Sequence, residues 1–155
     1  MKHTTLCYLE KDGAYLMMHR VKKKNDENHD KWVGIGGHLE FGESPFDCVR
    51  RETREETGLT LRRVFYRGII TFIQKDVATE YMHLFTSADF DGKMSGDCGE
   101  GVLEWVRKED VPSLPIWEGD RIFLSLLDRE KRFFSLKLVY DGDRLIGQAL
   151  EFAQE

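Results

Sequence analysis

The sequence predicts an α+β fold in which strands dominate and two helices pack on a mixed sheet. Segments rich in β-branched and aromatic residues are separated by turn signals such as Lys11-Asp12-Gly13 and Asp141-Gly142-Asp143. Two further segments carry the capping and periodicity signals of helices. Because 155 residues suit one domain with a sizeable core, we expect a single domain over residues 1–155.

The strand assignments follow the apolar segments and the turns between them. A polar loop with three consecutive lysines separates the second and third strands, and it is either a solvated charge run or a lid over phosphates. The predicted strands are Thr4–Glu10, Ala14–His19, Trp32–Gly37, Val64–Ile73, Glu80–Phe90, Val102–Val106, Phe133–Tyr140 and Arg144–Phe152.

The first helix has clear start and stop signals. Ser44 suits the N-cap, Pro45 the first helical position and Gly58 a left-handed C-cap. The second helix follows Trp117-Glu118-Gly119-Asp120. The residues expected to face the core are Phe46, Val49 and Thr53 on the first helix, and Ile122, Phe123, Leu126 and Leu127 on the second.

A carboxylate cluster marks the first helix. Glu52, Glu55 and Glu56 are spaced i, i+3 and i+4, so they share one helical face and repel each other. Such a face is either simply solvated between flanking arginines, or it binds a cation. Carboxylate oxygens suit a hard divalent ion, which makes Mg2+ the predicted cofactor, with Mn2+ as an alternative.

The residues around this cluster resemble the Nudix box, G-x5-E-x7-R-E-U-x-E-E-x-G-U, in which U is a bulky apolar residue. Gly37, Glu43 and the segment Arg51–Leu59 match every fixed position except one U, where the chain has Thr53. The resemblance implies an α/β/α sandwich with a mixed sheet between helices. It also implies hydrolysis of nucleoside diphosphates linked to another group.

The resemblance further implies a set of metal ligands. Glu52, Glu55 and Glu56 match the ligand positions, and the backbone carbonyl of Gly36 or Gly37 matches a further one. A metal held there would lower the pKa of a water molecule and neutralise phosphate charge.

Three further residues are candidates for positioning or proton transfer. Glu43 and Arg51 match a box pair expected to brace the loop against the helix, rather than to act in catalysis directly. Glu52 is the first candidate for the general base. Glu100 is the second candidate and a possible further metal ligand, although it could instead be a solvated loop residue.

Segments outside the box resemble the MutT-related branch that hydrolyses oxidised purine triphosphates such as 8-oxo-dGTP to the monophosphate and pyrophosphate. In that branch the residues matching Trp117 and Asp120 contact the purine, the former by stacking; a core role for Trp117 is the alternative. Phe72 is a candidate for the base pocket or the core, and Lys23 for a phosphate contact. The matching segments are Lys31-Trp32, Gly34-x-Gly-Gly, Leu103-Glu104-Trp105 and Trp117-x-x-Asp120.

Two departures from this branch affect the choice of substrate. Val33 stands where better-known members have an Asn that reads the base edge, and Gly119 where some have a second Asp. Losing hydrogen-bonding groups alters or relaxes base discrimination. The alternatives are therefore a Nudix hydrolase of a dinucleoside polyphosphate, nucleotide sugar or unmodified NTP, and a non-catalytic module that senses a nucleotide.

Composition excludes several other classes of function. A net charge of −5 argues against a surface that coats a nucleic-acid polymer. The sequence has no segment long and apolar enough to predict a membrane partner. Three Cys without a pairing or ligand pattern favour a reducing, cytoplasmic location. A small nucleotide is the predicted partner.

Overall fold

The computed structural model describes residues 1–22, 24–26, 28–95, 99 and 101–153. Within these residues the chain forms eight strands and two α-helices. None of the helices in these ranges is long and apolar enough to cross a membrane. The elements are β1 (Lys2–Lys11), β2 (Ala14–His19), β3 (Trp32–Val33), α1 (Pro45–Thr57), β4 (Thr60–Gln74), β5 (Ala78–Asp91), β6 (Val102–Arg107), α2 (Glu118–Arg129), β7 (Phe134–Asp141) and β8 (Arg144–Phe152).

The strands form one mixed sheet around β1. Its order is β3-β2-β1-β5-β4-β7-β8, and β6 pairs with the outer edge of β2. The β1–β5 and β4–β7 pairs are parallel, whereas the hairpin pairs β4–β5 and β7–β8 are antiparallel. The observed sheet confirms the predicted α+β class.

Two apolar cores lie on opposite faces of this sheet. Successive residues of a strand point to opposite faces, and β1 shows this directly. Tyr8 packs in the core beneath α2, while Cys7 and Leu9 pack in the core beneath α1. Phe123 of α2 and Val49 of α1 are both fully buried. The sheet therefore lies between the two helices, as the α/β/α prediction required.

Helix α1 begins and ends where its local signals predict. The Ser44 hydroxyl accepts a hydrogen bond from the Asp47 amide, and the Ser44 amide donates to the Asp47 carboxylate, so both ends of the capping box are made. Gly58 closes the helix at φ 79°. Val49 and Thr53 are buried as predicted.

The prediction that Phe46 faces the core is wrong. Phe46 is 36% exposed because it lies in the first turn of α1, where the helix only begins to cover the sheet. Its ring rests edge-on against Tyr66 and Phe85 instead of entering the core.

The predicted strand Trp32–Gly37 is regular only over Trp32–Val33. Beyond it the backbone runs beside β1, with the pairs Cys7–Ile35 and Thr4–His38. A Cβ atom on Gly36 would lie 1.8 Å from the Thr5 carbonyl oxygen, so only glycine permits this close approach. The glycine segment Gly34–Gly37 is thus held tightly against the central strand.

Candidate active site

A cavity of about 280 Å³ opens between the glycine segment, β1 and the start of α2. Its volume is near the lower end of the range for small-molecule sites. The structure brings six predicted site residues together on its wall, although they come from three separate parts of the chain. These residues are Val33, Gly36, Gly37, Phe72, Trp117 and Asp120.

Trp117 belongs both to the core and to the cavity wall. Its ring packs edge-on against Phe72 and Tyr140. Its indole N–H donates a 2.6 Å hydrogen bond to Asn28 Oδ1, and Lys31 Nζ lies 4.7 Å from the ring centroid. The two alternatives left by the sequence, core plug and site residue, therefore coexist in one side chain.

Asp120 is a buried acid in the first turn of α2. It is 8% exposed, and burial raises its pKa from 3.8 to about 7, although the charges of Arg121 and Lys31 oppose the shift. Near neutral pH the carboxyl group can therefore either donate or accept a hydrogen bond. This property suits recognition of a base edge that carries both donors and acceptors.

The structure explains the absence of a side chain at position 119. A Cβ atom on Gly119 would lie 2.5 Å from Leu138 Cδ1 and 2.7 Å from the Tyr140 hydroxyl oxygen. That hydroxyl accepts a 2.7 Å hydrogen bond from the Gly119 amide. The space that a second acid would need is thus filled by Leu138 and Tyr140.

The carboxylates of α1 reach the other side of the glycine segment. The Gly36 amide donates a 3.1 Å hydrogen bond to Glu56 Oε1. A Cβ atom on Gly37 would lie 2.5 Å from the carboxyl carbon of Glu52, so this carboxylate packs directly on the backbone. Gly36 and Gly37 therefore join the cavity to two of the predicted metal ligands.

Arg51 binds the loop and the acidic helix face together. Nε and Nη2 donate to the two carboxylate oxygens of Glu43 at 2.6 and 3.0 Å, and Nη2 also donates to the His38 carbonyl at 3.0 Å. Nη1 donates to Glu52 at 2.8 Å and Glu55 at 3.2 Å. Hydrogen bonding to Arg51 lowers the pKa of Glu43. One guanidinium group thus offsets the repulsion among three carboxylates.

The donor set fits a hard divalent cation in chemistry. The candidate ligands are carboxylate oxygens and a backbone carbonyl, which Mg2+ and Mn2+ prefer. In the described ranges, no three His, Cys, Asp or Glu side chains lie close enough to hold a metal ion. Glu52 and Glu55 point to Arg51, and Glu56 to the Gly36 amide. Their role as ligands stays a prediction.

Two predicted site residues, Lys23 and Glu100, lie outside the described residues. Conversely, the cavity is lined by residues that the sequence interpretation did not select. These include Arg20, Asp26 and Asn28 from the loop between β2 and β3, and Thr4 and Glu80, which are joined by a 2.7 Å hydrogen bond. For the three loop residues, the polarity of the loop was the only sequence signal of a role in the site, and a solvated loop would have the same polarity.

The fold is a mixed sheet between two helices. At the site, helical carboxylates pack on a glycine segment beside a cavity with aromatic walls. Both features are typical of a hydrolase of the Nudix class. The NUDIX domain model matches residues 2–127. The chain therefore belongs to the Nudix family.

Three similar proteins extend this result. The chain is 32% identical over 131 residues to the uncharacterised Nudix hydrolase YvcI of Bacillus subtilis (strain 168), covering 82% of this chain and 79% of that protein. It is 27% identical over 156 residues to the oxidised purine nucleoside triphosphate hydrolase of Danio rerio, covering 99% and 97%. The crystal structure of a MutT protein from Bacillus halodurans superposes with a TM-score of 0.87 at 28% identity, covering 97% of this chain and 98% of that one.

Proposed function

We propose that this Nudix hydrolase is a Mg2+-dependent pyrophosphohydrolase of oxidised purine nucleoside triphosphates such as 8-oxo-dGTP. It releases the monophosphate and pyrophosphate. The observation that carries the proposal is the contact of the glycine segment with both halves of the site. Gly36 and Gly37 line the cavity that contains Trp117 and Asp120, and the same two residues touch Glu56 and Glu52.

The residues in the base half of the site support the proposal of a purine substrate. Trp117 and Phe72 provide aromatic surface, and Asp120 can donate or accept at its edge. The similarity to the Danio rerio oxidised purine nucleoside triphosphate hydrolase, over nearly the full length of both chains, supports the same choice.

The residues in the phosphate half of the site support the proposal of a bound metal ion. We assign the ligands to Glu52, Glu55, Glu56 and the Gly36 carbonyl, with Glu100 as a further candidate. Gly36 is preferred over Gly37 because the Gly37 carbonyl already accepts a 2.9 Å hydrogen bond from the Thr5 amide. When bound, Mg2+ would neutralise the polyphosphate and make the attacking water more acidic.

The chain's own groups then position and deprotonate that water. Glu52 accepts the proton as the water oxygen bonds to phosphorus and the bond between the α- and β-phosphates breaks. Arg51 holds Glu52 at 2.8 Å, and its bidentate contact with Glu43 fixes the guanidinium against the loop. Arg51 and Glu43 are therefore positioning residues in this mechanism.

A second candidate keeps the chemistry but changes the substrate to another nucleoside diphosphate derivative. The Val33 side chain offers no hydrogen bond at the cavity wall, and a side chain at Gly119 would require Leu138 and the Tyr140 hydroxyl to move. Neither position therefore hydrogen-bonds a base through its side chain. The loss of such contacts favours a relaxed choice of base.

The test is an assay with Mg2+ in which chromatography separates the hydrolysis products of 8-oxo-dGTP, dGTP and a panel of dinucleoside polyphosphates and nucleotide sugars. We expect 8-oxo-dGTP to be hydrolysed with the highest kcat/KM. The proposal would be contradicted if neither 8-oxo-dGTP nor dGTP yielded pyrophosphate. Hydrolysis of a dinucleoside polyphosphate or a nucleotide sugar alone would establish the second candidate.

Glu56→Gln tests the metal half of the proposal. We expect kcat to fall on the order of 100-fold, with nucleotide binding partly retained, because one anionic ligand is lost while the Gly36 amide still finds an acceptor. Glu151→Gln removes the same charge from an exposed position on β8 and is the matched control. Unchanged turnover in Glu56→Gln would refute the assignment of Glu56 as a metal ligand.

A further inference from the structure

The loop between β2 and β3 anchors the aromatic wall of the cavity. Asn28 accepts the indole hydrogen bond of Trp117 at 2.6 Å across 89 positions of sequence. Lys31 of the same loop places its ammonium group over the Trp117 ring. Because Asn28 itself lines the cavity, the anchor is part of the binding surface.

Asn28 is held in place by a second set of contacts. Its backbone amide donates to Asp26 Oδ1 at 3.2 Å. The other oxygen of Asp26 accepts from Arg20 Nε at 2.8 Å, and the side chains of Arg20 and Asp26 are only 17% and 11% exposed. The ion pair fixes the loop backbone beneath Asn28, so the amide group is positioned before a ligand arrives.

The contact with Trp117 also fixes which way the Asn28 amide points. An indole N–H can only donate, so the atom that faces Trp117 must be the amide oxygen. The polar group of Asn28 that remains for a ligand is therefore its NH2 donor. The side chain of Val33, on the same cavity wall, has no hydrogen-bonding group.

We propose that Asn28 is a specificity-determining residue, whose NH2 group donates a hydrogen bond to the 6-carbonyl oxygen of an oxopurine. This inference rests on the proposed function and names its base class. A 6-aminopurine would place a donor against this donor and would leave the half-buried amide of Asn28 unpaired, and such mismatches discriminate between substrates. The site thus prefers guanine-type over adenine-type nucleotides.

Asn28→Asp tests the assignment, because one carboxylate oxygen can still accept from Trp117 while the other replaces the donor with an acceptor. We expect the ratio of kcat/KM for 8-oxo-dGTP to that for 8-oxo-dATP to fall at least about tenfold. Both nucleotides carry the same triphosphate, so a general effect of the added charge cancels in the ratio. Asn28→Ala removes the donor without adding charge, and we expect a smaller fall in the same direction.

Asn25→Asp is the matched control, since Asn25 is an exposed residue of the same loop and does not line the cavity. We expect its ratio to equal that of the wild type. A ratio that changes less than about twofold in both Asn28 variants would overturn the assignment of Asn28 while leaving the proposed function intact.

If the wild-type protein hydrolyses neither nucleotide, the proposed function fails, and Asn28 is tested by calorimetry with GMP and AMP. A preference for GMP that Asn28→Asp abolishes would support the assignment. Equal affinities, or no binding of either nucleotide, would overturn it.

Discussion

Replacing Asp120 by Asn is expected to change how the free energy of unfolding depends on pH. Asp120 is 8% exposed, and burial raises its pKa from 3.8 to about 7. Between these values the folded chain keeps a proton that the unfolded chain has released. Unfolding therefore releases a proton in this window, and stability falls as pH rises until the folded pKa is passed. Above it the contribution of this group stays constant.

The size of the effect follows from the shift in pKa. Each pH unit inside the window changes the free energy of unfolding by about 1.4 kcal/mol per proton. From pH 5 to pH 8 the wild type should therefore lose roughly 2–3 kcal/mol from Asp120. Asn has a similar shape and does not titrate, so Asp120→Asn should lack this loss and gain stability relative to wild type as pH rises.

Urea unfolding at pH 5, 6, 7 and 8 measures the difference between the two proteins at each pH. Asp143→Asn, which removes a carboxylate from the exposed β7–β8 turn, is the control for a change in net charge. If the difference between wild type and Asp120→Asn stays constant within about 0.5 kcal/mol, Asp120 titrates in its ordinary range and the argument for a neutral acid on the cavity wall fails.

Two further variants test the packing of the site. Thr53 is fully buried, and its hydroxyl has no hydrogen-bond partner within the described part of the chain. Thr53→Val should therefore raise the free energy of unfolding, measured by urea titration, by about 1 kcal/mol. A loss of stability would show that the hydroxyl has a hydrogen-bond partner. Gly119→Ala should lower the free energy of unfolding by about 1–3 kcal/mol in the same measurement, because Leu138 and the Tyr140 hydroxyl must move. An unchanged free energy of unfolding would mean that position 119 has room for a side chain.

Much of the fold could be predicted because its signals are local. Ser44, Pro45 and Gly58 specify the ends of α1 through hydrogen bonds and φ angles within a few residues of each end. Strand β2 has the predicted bounds for the same reason, since a turn precedes it and a polar loop follows. Phe46 was misplaced because exposure depends on what the helix packs against, and no local signal reports that.

The sequence by itself determined the family of this protein, since the spacing of the Nudix box fixes Glu52, Glu55 and Glu56 on one helical face. Only the tertiary structure decided what surrounds them and the cavity. The Asn28–Trp117 hydrogen bond joins residues 89 positions apart, and the raised pKa of Asp120 comes from the burial of its carboxyl group. Periodicity and capping act along the chain, whereas burial and long-range hydrogen bonds exist only after the strands have paired.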